Sequence, residues 1–184
     1  MTARTSLDHR TLDRPAAHDQ LRPSDRAAEP TENIMTIDHE TALNTAKGFF
    51  AAFEGRDPAG VRVLLAPHAN ITIPLSIEGT PAPWYVFDGR EHVMGYIESV
   101  AAKFDHIAFL DKVYTVSEDA KSVFLQANGD ILSTAEKLVY RNVYIFRVEI
   151  EDAKVVKVWE YANPVAYANL GIQNSEAEAA AQAS

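Results

Sequence analysis

The sequence predicts an α+β fold in which a strongly curved, mostly antiparallel sheet wraps around three N-terminal helices and forms a cone. Two observations carry this prediction. Apolar residues recur with helical spacing in three stretches between residues 38 and 104, and alternating strand patterns with short connections follow. Helices followed by a meander of strands are typical of the α+β class. With 184 residues and 47% hydrophobic content, the chain can bury one such core.

Three helices are predicted from apolar spacing and capping signals. In DHETALNTAKGFFAAFEGRD, alanines and phenylalanines recur every three to four residues between Asp38, a candidate N-cap, and Gly55. Asp57 followed by Pro58 predicts the start of a short second helix, because proline suits the first helical position. The stretch REHVMGYIESVAAKF, which begins at Arg90, predicts the third helix.

The strands are predicted from alternation. ANITIPL is the first strand, and the glycine- and proline-punctuated SIEGTPAPWYVFDG that follows is predicted to be a loop. Four further strands are expected at residues 107–116, 122–131, 138–150 and 154–162. Because short turns connect them, they form a meander with a concave interior. Concave apolar interiors are where proteins bind small molecules.

Both ends of the chain differ in composition from the predicted domain, residues 35–172. Residues 1–34 contain five arginines, three prolines and no aromatic residue, so they are predicted to be a disordered N-terminal extension. MTIDHE, from Met35, resembles a second start. Residues 173–184 are predicted to be a flexible acidic, alanine-rich tail that frays.

The bulk composition excludes several classes of partner. A net charge of -9 and a pI near 5.1, without clustered lysines or arginines, argue against binding nucleic acid or an anionic membrane. The chain has no cysteine and therefore no disulfide framework. No apolar run approaches the roughly 20 residues of a membrane span, and the N-terminus lacks the apolar core of a signal peptide. A soluble, cytoplasmic protein is predicted.

The stretch VVKVWEYANP places one carboxylate among small apolar residues. Because strand side chains alternate between faces, Glu160 shares a face with Val158 and Ala162. It would then lie in the concave interior, where desolvation raises the pKa of a carboxyl group toward neutrality. The alternative is a glutamate at the rim of the sheet, paired with Lys157 or Arg147.

Four motifs carry a resemblance to a known family: LLAPHANITIP, FDGREHVMGYI, YRNVYIF and KVVKVWEYANPVAYANLG. With them, residues 38–172 resemble the SnoaL-like proteins of the nuclear transport factor 2-like superfamily, and most of all the phenazine-biosynthesis A/B proteins. The long strand of those proteins has a similar spacing of Tyr, Asn and Tyr-Ile, matched here by Tyr140, Asn142, Tyr144 and Ile145. Their last strand ends Arg-Glu-Phe-Met-Asn-Pro, where this chain has WEYANP.

The resemblance implies a role for Glu160, since the matching glutamate of the phenazine proteins lies in the pocket as an acid/base group. This chain departs from the related proteins in two respects, and these departures limit what the resemblance implies. The general-base position of ketosteroid isomerase falls at Ile73 and its phenolic donor at Phe49, so that route of isomerisation is excluded. Gln126 and Asn128 stand where the phenazine proteins have acidic residues.

The longest predicted strand presents two different faces. Tyr140, Asn142 and Tyr144 share one face, which suits a pocket wall whose hydroxyl and amide groups orient a ligand. Simple core packing is the alternative for the tyrosines. Val143 and Ile145 lie on the other face, which suits the convex surface through which this superfamily often forms homodimers.

Other candidate residues leave alternatives open. Trp84 and Tyr85 are candidates for a lid over the pocket mouth, or for a plug of the core beneath the loop. His68, His92 and His106 show no metal-ligand spacing and are predicted to be structural or exposed. The sequence has no nucleophile elbow, phosphate loop or dinucleotide fingerprint. No metal and no cofactor are predicted.

The leading hypothesis is a homodimeric SnoaL-like protein that acts on a small, mostly apolar cyclic molecule. Its chemistry would be cofactor-free acid/base catalysis, such as isomerisation, cyclisation, dehydration or condensation, with Glu160 as the proton carrier. One rival is a non-catalytic binding or accessory protein with the same pocket. Another is a protein-interaction module that uses the open cone, marked by an exposed apolar patch at the mouth.

Overall fold

The structure, a computed structural model, describes residues 38–135, 137–171 and 175–182. The predicted N-terminal extension, residues 1–34, and the first three residues of MTIDHE lie outside these ranges. The described elements, in chain order, are α1 (His39–Glu54), α2 (Pro58–Leu64), β1 (Leu65–Ile73), β2 (Tyr85–Asp88), α3 (Arg90–Lys103), β3 (Phe104–Val116), β4 (Ser122–Ser133), β5 (Val139–Glu151), β6 (Lys154–Tyr161), α4 (Pro164–Ala168) and α5 (Glu176–Gln182). None of these helices has the length and apolar character needed to cross a bilayer.

The first two helices begin where the capping signals predict, and the first also ends where they predict. The Asp38 side chain accepts a hydrogen bond from the Thr41 backbone N–H at the start of α1, and Gly55 is the C-cap. Asp57 caps α2 in the same way, with Pro58 in its first turn. Both N-caps satisfy backbone donors that have no partner within the helix.

The six strands form one open, mostly antiparallel sheet in the order β2-β1-β6-β5-β4-β3. β3 to β6 are the predicted antiparallel meander, and β1 pairs in parallel with β6. Register shifts interrupt β3 against β4 between Leu110 and Val113, and β5 against β6 between Glu149 and Ile150. Such bulges bend and twist a sheet. The helices and the curved, mostly antiparallel sheet confirm the predicted α+β cone.

The core lies between the concave face of this sheet and the N-terminal helices. Buried and exposed residues alternate along β5, as they do along most of β4. Phe50 of α1 packs against Phe146 of β5 with ring centroids 4.9 Å apart, and Phe109 of β3 packs edge-on against both rings. Helix α1 therefore fills the base of the cone.

Part of the predicted loop is instead a strand. Residues of β2 pair antiparallel with β1, with Phe87 opposite Ile71. Tyr85 and Phe87 are buried, whereas Asp88 points outward. Four alternating residues beside a proline-rich segment are a weak sequence signal, and it is the pairing with β1 that makes them a strand. β1 itself begins four residues before ANITIPL, at Leu65, where its pairing with β6 starts.

The C-terminal segment also differs from the predicted fraying tail, because it contains α5. The Ser175 backbone N–H donates to Glu178 Oε2 at 2.7 Å, and the Glu178 N–H donates to Ser175 Oγ at 3.2 Å. This is a capping box, but seven helical residues are not stable on a capping box alone. The tertiary partner is Lys103 of α3, which forms an ion pair with the buried Glu178. The short helix α4, capped by Asn163, precedes it and was not predicted.

Candidate functional site

A cavity of about 70 Å³ opens at the concave face of the sheet, between α3 and the C-terminal helices. This volume has room for several water-sized groups. Most of its wall is aromatic or aliphatic, and polar groups are few. They include the side chains of Glu160, Tyr96, Tyr140, Tyr144, Tyr167 and Glu178. A concave, mostly apolar site with a few converging polar groups is the usual form of a small-molecule site.

Glu160 of β6 lies in this wall, as alternation predicts. Its carboxylate is enclosed by the fold, and the part of its surface that remains exposed faces the cavity. Tyr96 of α3 donates a hydrogen bond from its hydroxyl to Glu160 Oε2 at 3.1 Å. Burial raises the pKa of Glu160 to about 7, and the bond from Tyr96 acts in the opposite direction by favouring the ionised form. At neutral pH the group can therefore both accept and return a proton.

The alternative of a glutamate paired at the rim does not hold among the described residues. The Lys157 ammonium lies over the ring of Trp159, 4.1 Å from its centroid. Arg147 pairs with Glu149 at 3.2 Å. Both cations thus have partners of their own on the outer face, whereas Glu160 points inward.

Tyr140 and Tyr144 of β5 both line the cavity and are both buried. Burial raises the pKa of each phenol, and the nearby Glu160 charge adds to this effect. Both phenols therefore stay protonated at neutral pH and can donate hydrogen bonds. The Tyr144 ring passes over Gly129 of β4, where a Cβ atom would lie 2.5 Å from Tyr144 Cε2. Gly129 is thus what allows the ring its position.

Asn142, predicted to orient a ligand, does not line the cavity of Glu160. Its amide Nδ2 donates to the Tyr140 hydroxyl at 2.5 Å and to the backbone oxygen of Asn163 at 3.0 Å. Its Oδ1 accepts from the backbone N–H groups of Val143 and Asn163. With both ends of the amide engaged, Asn142 positions Tyr140 and fastens the turn after β6.

Trp84 and Tyr85 line the cavity together, with ring centroids 4.8 Å apart. Tyr85 is buried in the core as part of β2. Trp84 is half-buried and packs edge-on against Tyr167 of α4 at 5.9 Å. Tyr85 therefore matches the alternative of a core residue, whereas Trp84 stands between the cavity and the C-terminal segment.

Sequence reasoning missed Tyr96, Tyr167 and the Lys103–Glu178 pair. Tyr167 donates to Glu178 Oε1 at 3.0 Å, and Lys103 reaches the Tyr167 oxygen at 3.3 Å. Burial acts to raise the pKa of Glu178, but bonds from Lys103 and Ser175 more than offset it, so its pKa lies below the usual value. The sequence offered a signal for Tyr96, because it is a tyrosine on the apolar face of a predicted helix. It offered none for the other contacts, because they join segments that are far apart in the sequence.

The three histidines considered as metal ligands, His68, His92 and His106, lie apart and exposed. His68 is on β1, His106 is on β3, and His92 bonds through Nδ1 to the Asp88 backbone oxygen at 2.6 Å. Within the described ranges, no three His, Cys, Asp or Glu side chains are grouped as a metal site would need.

The fold and the site together define a class: an α+β cone with an aromatic-walled small-molecule pocket. Comparison with protein families assigns residues 46–158 to the SnoaL-like domain, which is more than half of the chain. The chain belongs to the SnoaL-like family of the nuclear transport factor 2-like superfamily. It is a small-molecule pocket protein of that family.

Several known proteins are similar to it. The uncharacterized protein YesE of Bacillus subtilis is 25% identical over 134 residues, which is 72% of this chain and 88% of YesE. A solved structure of a proposed isomerase from Bacillus subtilis has a TM-score of 0.61 at 24% identity, covering 71% of this chain and 92% of its own. A phenazine biosynthesis-related protein from Pseudomonas aeruginosa has a TM-score of 0.59 at 14% identity, covering 76% and 89%. These structural similarities support the fold.

Proposed function

We propose that this protein catalyses cofactor-free acid/base chemistry on a small, mostly apolar ring compound, with Glu160 as the proton carrier. Isomerisation, cyclisation, dehydration and condensation all need such a group. The observation that carries the proposal is the enclosed Glu160 carboxylate, whose pKa burial raises to about 7. A proton carrier works best when its pKa lies near the working pH.

The surrounding phenols are proposed to orient the ligand. Tyr140 and Tyr144 keep their protons and share a hydrogen bond, so the hydroxyl whose proton is not engaged in that bond can donate to a carbonyl or hydroxyl oxygen of the ligand. Asn142 holds Tyr140 in place without touching the ligand. Trp84 and Tyr85 supply apolar ring faces for stacking.

The charges of the wall limit the ligand further. No lysine, arginine or histidine is among the described residues that line the cavity. Lys103 is near, but its charge is paired with Glu178. A carboxylate or phosphate on the ligand would therefore be buried beside Glu160 without a counter-charge, which is costly. The ligand is uncharged where it enters the pocket.

The protein is also proposed to be a homodimer through the convex face of the sheet. Val143 and Ile145 of β5 are 61% and 47% exposed on the outer face of the sheet. Tyr161 of β6 stands opposite Ile145 and is exposed as well. An apolar patch of this kind marks an interaction site, and a second copy offers the same patch to itself across a two-fold axis.

The proposal is tested by titrating Glu160 directly. Carbon-13 labelling of glutamate carboxyls allows each signal to be followed by NMR against pH, and Glu160→Gln identifies the signal by its loss. The titration midpoint of Glu160 is expected near 7. Glu91→Gln is the control, because Glu91 is an exposed carboxylate paired with Arg62. A midpoint near the roughly 4.3 of a free glutamate would remove Glu160 as proton carrier and favour the non-catalytic binding protein.

Turnover is tested with the natural ligand. Native mass spectrometry of the protein isolated from its own cell extract identifies a retained small molecule, which then serves as substrate. Glu160→Gln keeps the size of the side chain and should lower turnover by about 10² to 10⁴ while binding persists. Unchanged turnover would leave Glu160 outside the mechanism.

A further inference from the structure

The two oxygens of the Glu160 carboxylate have different surroundings. Oε2 accepts the hydrogen bond from Tyr96, whereas Oε1 has no hydrogen-bond partner among the described residues. We propose that Tyr96 is a positioning residue that reserves Oε2 for this bond and leaves Oε1 as the oxygen that exchanges a proton with the ligand. This inference rests on the function proposed for Glu160.

Oε1 is open to the cavity. Among the described residues, the side-chain polar atom that is both fully enclosed and without a hydrogen-bond partner is Nε of Arg90. Oε1 of Glu160 has no hydrogen-bond partner either, but it is not fully enclosed. Part of its surface is therefore accessible. Because Glu160 lines the cavity, that surface faces the space a ligand would occupy.

Tyr96 is held rigidly enough to impose this arrangement. It is 7% exposed and lies on the buried face of α3 with Val93 and Ile97. Its ring stacks on Phe87 of β2, which is 1% exposed, with centroids 4.5 Å apart. A donor fixed by packing on one oxygen restricts rotation of the carboxylate, as a preorganised site requires.

The hydrogen bond also sets how strongly Glu160 holds its proton. Burial raises the pKa of Glu160, and the Tyr96 bond is the opposing influence. The other titratable side chains that line the cavity are those of Tyr85, Tyr140, Tyr144, Tyr167 and Glu178. Burial raises the pKa of Tyr140, Tyr144 and Tyr167, so these phenols stay neutral, and Lys103 balances the charge of Glu178. Tyr96 is thus the group whose removal should shift the titration of Glu160 most.

The proton balance is simple. The ionised Oε1 takes a proton from a C–H or O–H of the ligand, and the electron pair of the broken bond stays on the ligand. Oε1 then returns the same proton to another ligand atom. The Tyr96 proton stays on its own oxygen throughout, since burial raises the pKa of that phenol well above its usual value.

The test measures the titration of Glu160 by carboxyl NMR in wild type, Tyr96→Phe and Tyr144→Phe. Tyr96→Phe should raise the midpoint by roughly one pH unit, because a bond that favours the ionised form is lost. Tyr144→Phe removes a phenol from the same cavity that does not bond to Glu160, and should shift the midpoint less. An equal or smaller shift in Tyr96→Phe would overturn the inference.

A second substitution guards against a variant that fails to fold. Incorporating 3-fluorotyrosine at position 96 keeps the ring and its packing but gives a more acidic phenol, which is a stronger donor. The Glu160 midpoint should then fall below that of wild type, opposite to Tyr96→Phe. No movement would overturn the role of Tyr96. A wild-type midpoint near 4.3 would instead overturn the proposed function, so the two failures are distinguishable.

Discussion

The Lys103 ammonium forms a buried ion pair with the Glu178 carboxylate and so joins the end of α3 to α5 across 75 residues of sequence. Only 13% of the Lys103 side chain and 4% of the Glu178 side chain are exposed. Glu178 also bonds to Tyr167, and both residues line the cavity of Glu160. This pair therefore holds the C-terminal segment against the pocket.

Lys103→Met is expected to release α5. Breaking a buried pair leaves an uncompensated charge, which costs about 3 to 5 kcal/mol if the charge stays buried, so undocking of α5 is the cheaper outcome. Hydrogen exchange should accelerate at residues 175–182. Arg62→Met is the control, since it breaks a solvent-exposed pair with Glu91 and should leave α5 docked. Unchanged protection of α5 would contradict the prediction.

Docking of α5 is also expected to weaken in acid. The pKa of Glu178 is lower in the folded protein than its usual value. The ionised carboxylate therefore stabilises the docked helix above the unfolded-state pKa, and this stabilisation is lost as the pH falls through the folded-state pKa. Hydrogen exchange at residues 175–182, compared between pH 7 and pH 3.5 after correction for intrinsic rates, measures this loss. Glu178→Gln should reduce the dependence on pH.

Glu160 is expected to have the opposite effect on stability. Its pKa is about 7 in the folded protein against an unperturbed 4.5, so the folded state holds the proton more strongly. Its contribution to the free energy of unfolding, on the order of 3 kcal/mol, is present below pH 4.5 and is lost as the pH rises through about 7. Urea unfolding of wild type and Glu160→Gln from pH 4.5 to pH 8 should show a smaller decline in the variant. Parallel curves would contradict the raised pKa.

Gly129→Ala is expected to displace the Tyr144 ring. The new methyl group would lie 2.5 Å from Tyr144 Cε2, and overpacking of this kind costs about 1 to 3 kcal/mol. In a Tyr144→Ala background the same substitution should cost much less, which a double-mutant cycle measures. Equal costs in the two backgrounds would show that the contact does not matter.

Ile145→Asp is expected to dissociate the proposed dimer. It places a charge in the middle of an apolar contact, where it would have no partner. Sedimentation velocity should then show a monomer. Val63→Asp is the matched control, because Val63 is 66% exposed on α2, away from the sheet face. Dissociation by both variants, or by neither, would move the interface elsewhere.

Much of the fold follows from local signals in the sequence. The caps at Asp38 and Asp57 fix the starts of two helices by bonds that span three residues. Alternation along β5 sorts its side chains onto two faces, so the inward positions of Tyr140 and Tyr144 follow from the sequence. The inward position of Glu160 follows in the same way. Each of these signals acts over a few residues.

Tertiary structure decided the rest, because the partners are distant in sequence. The Tyr96 bond to Glu160 spans 64 residues, so helical periodicity can place Tyr96 on the buried face of α3 but cannot select Glu160 as its partner. Asn142 shares the inward face of β5, yet its amide is engaged by the turn after β6 and not by the cavity. The capping box of α5 is legible in the sequence, but its helix depends on a lysine of α3. The sequence by itself determined which faces are buried, whereas long-range pairing determined which buried polar groups remain free for chemistry.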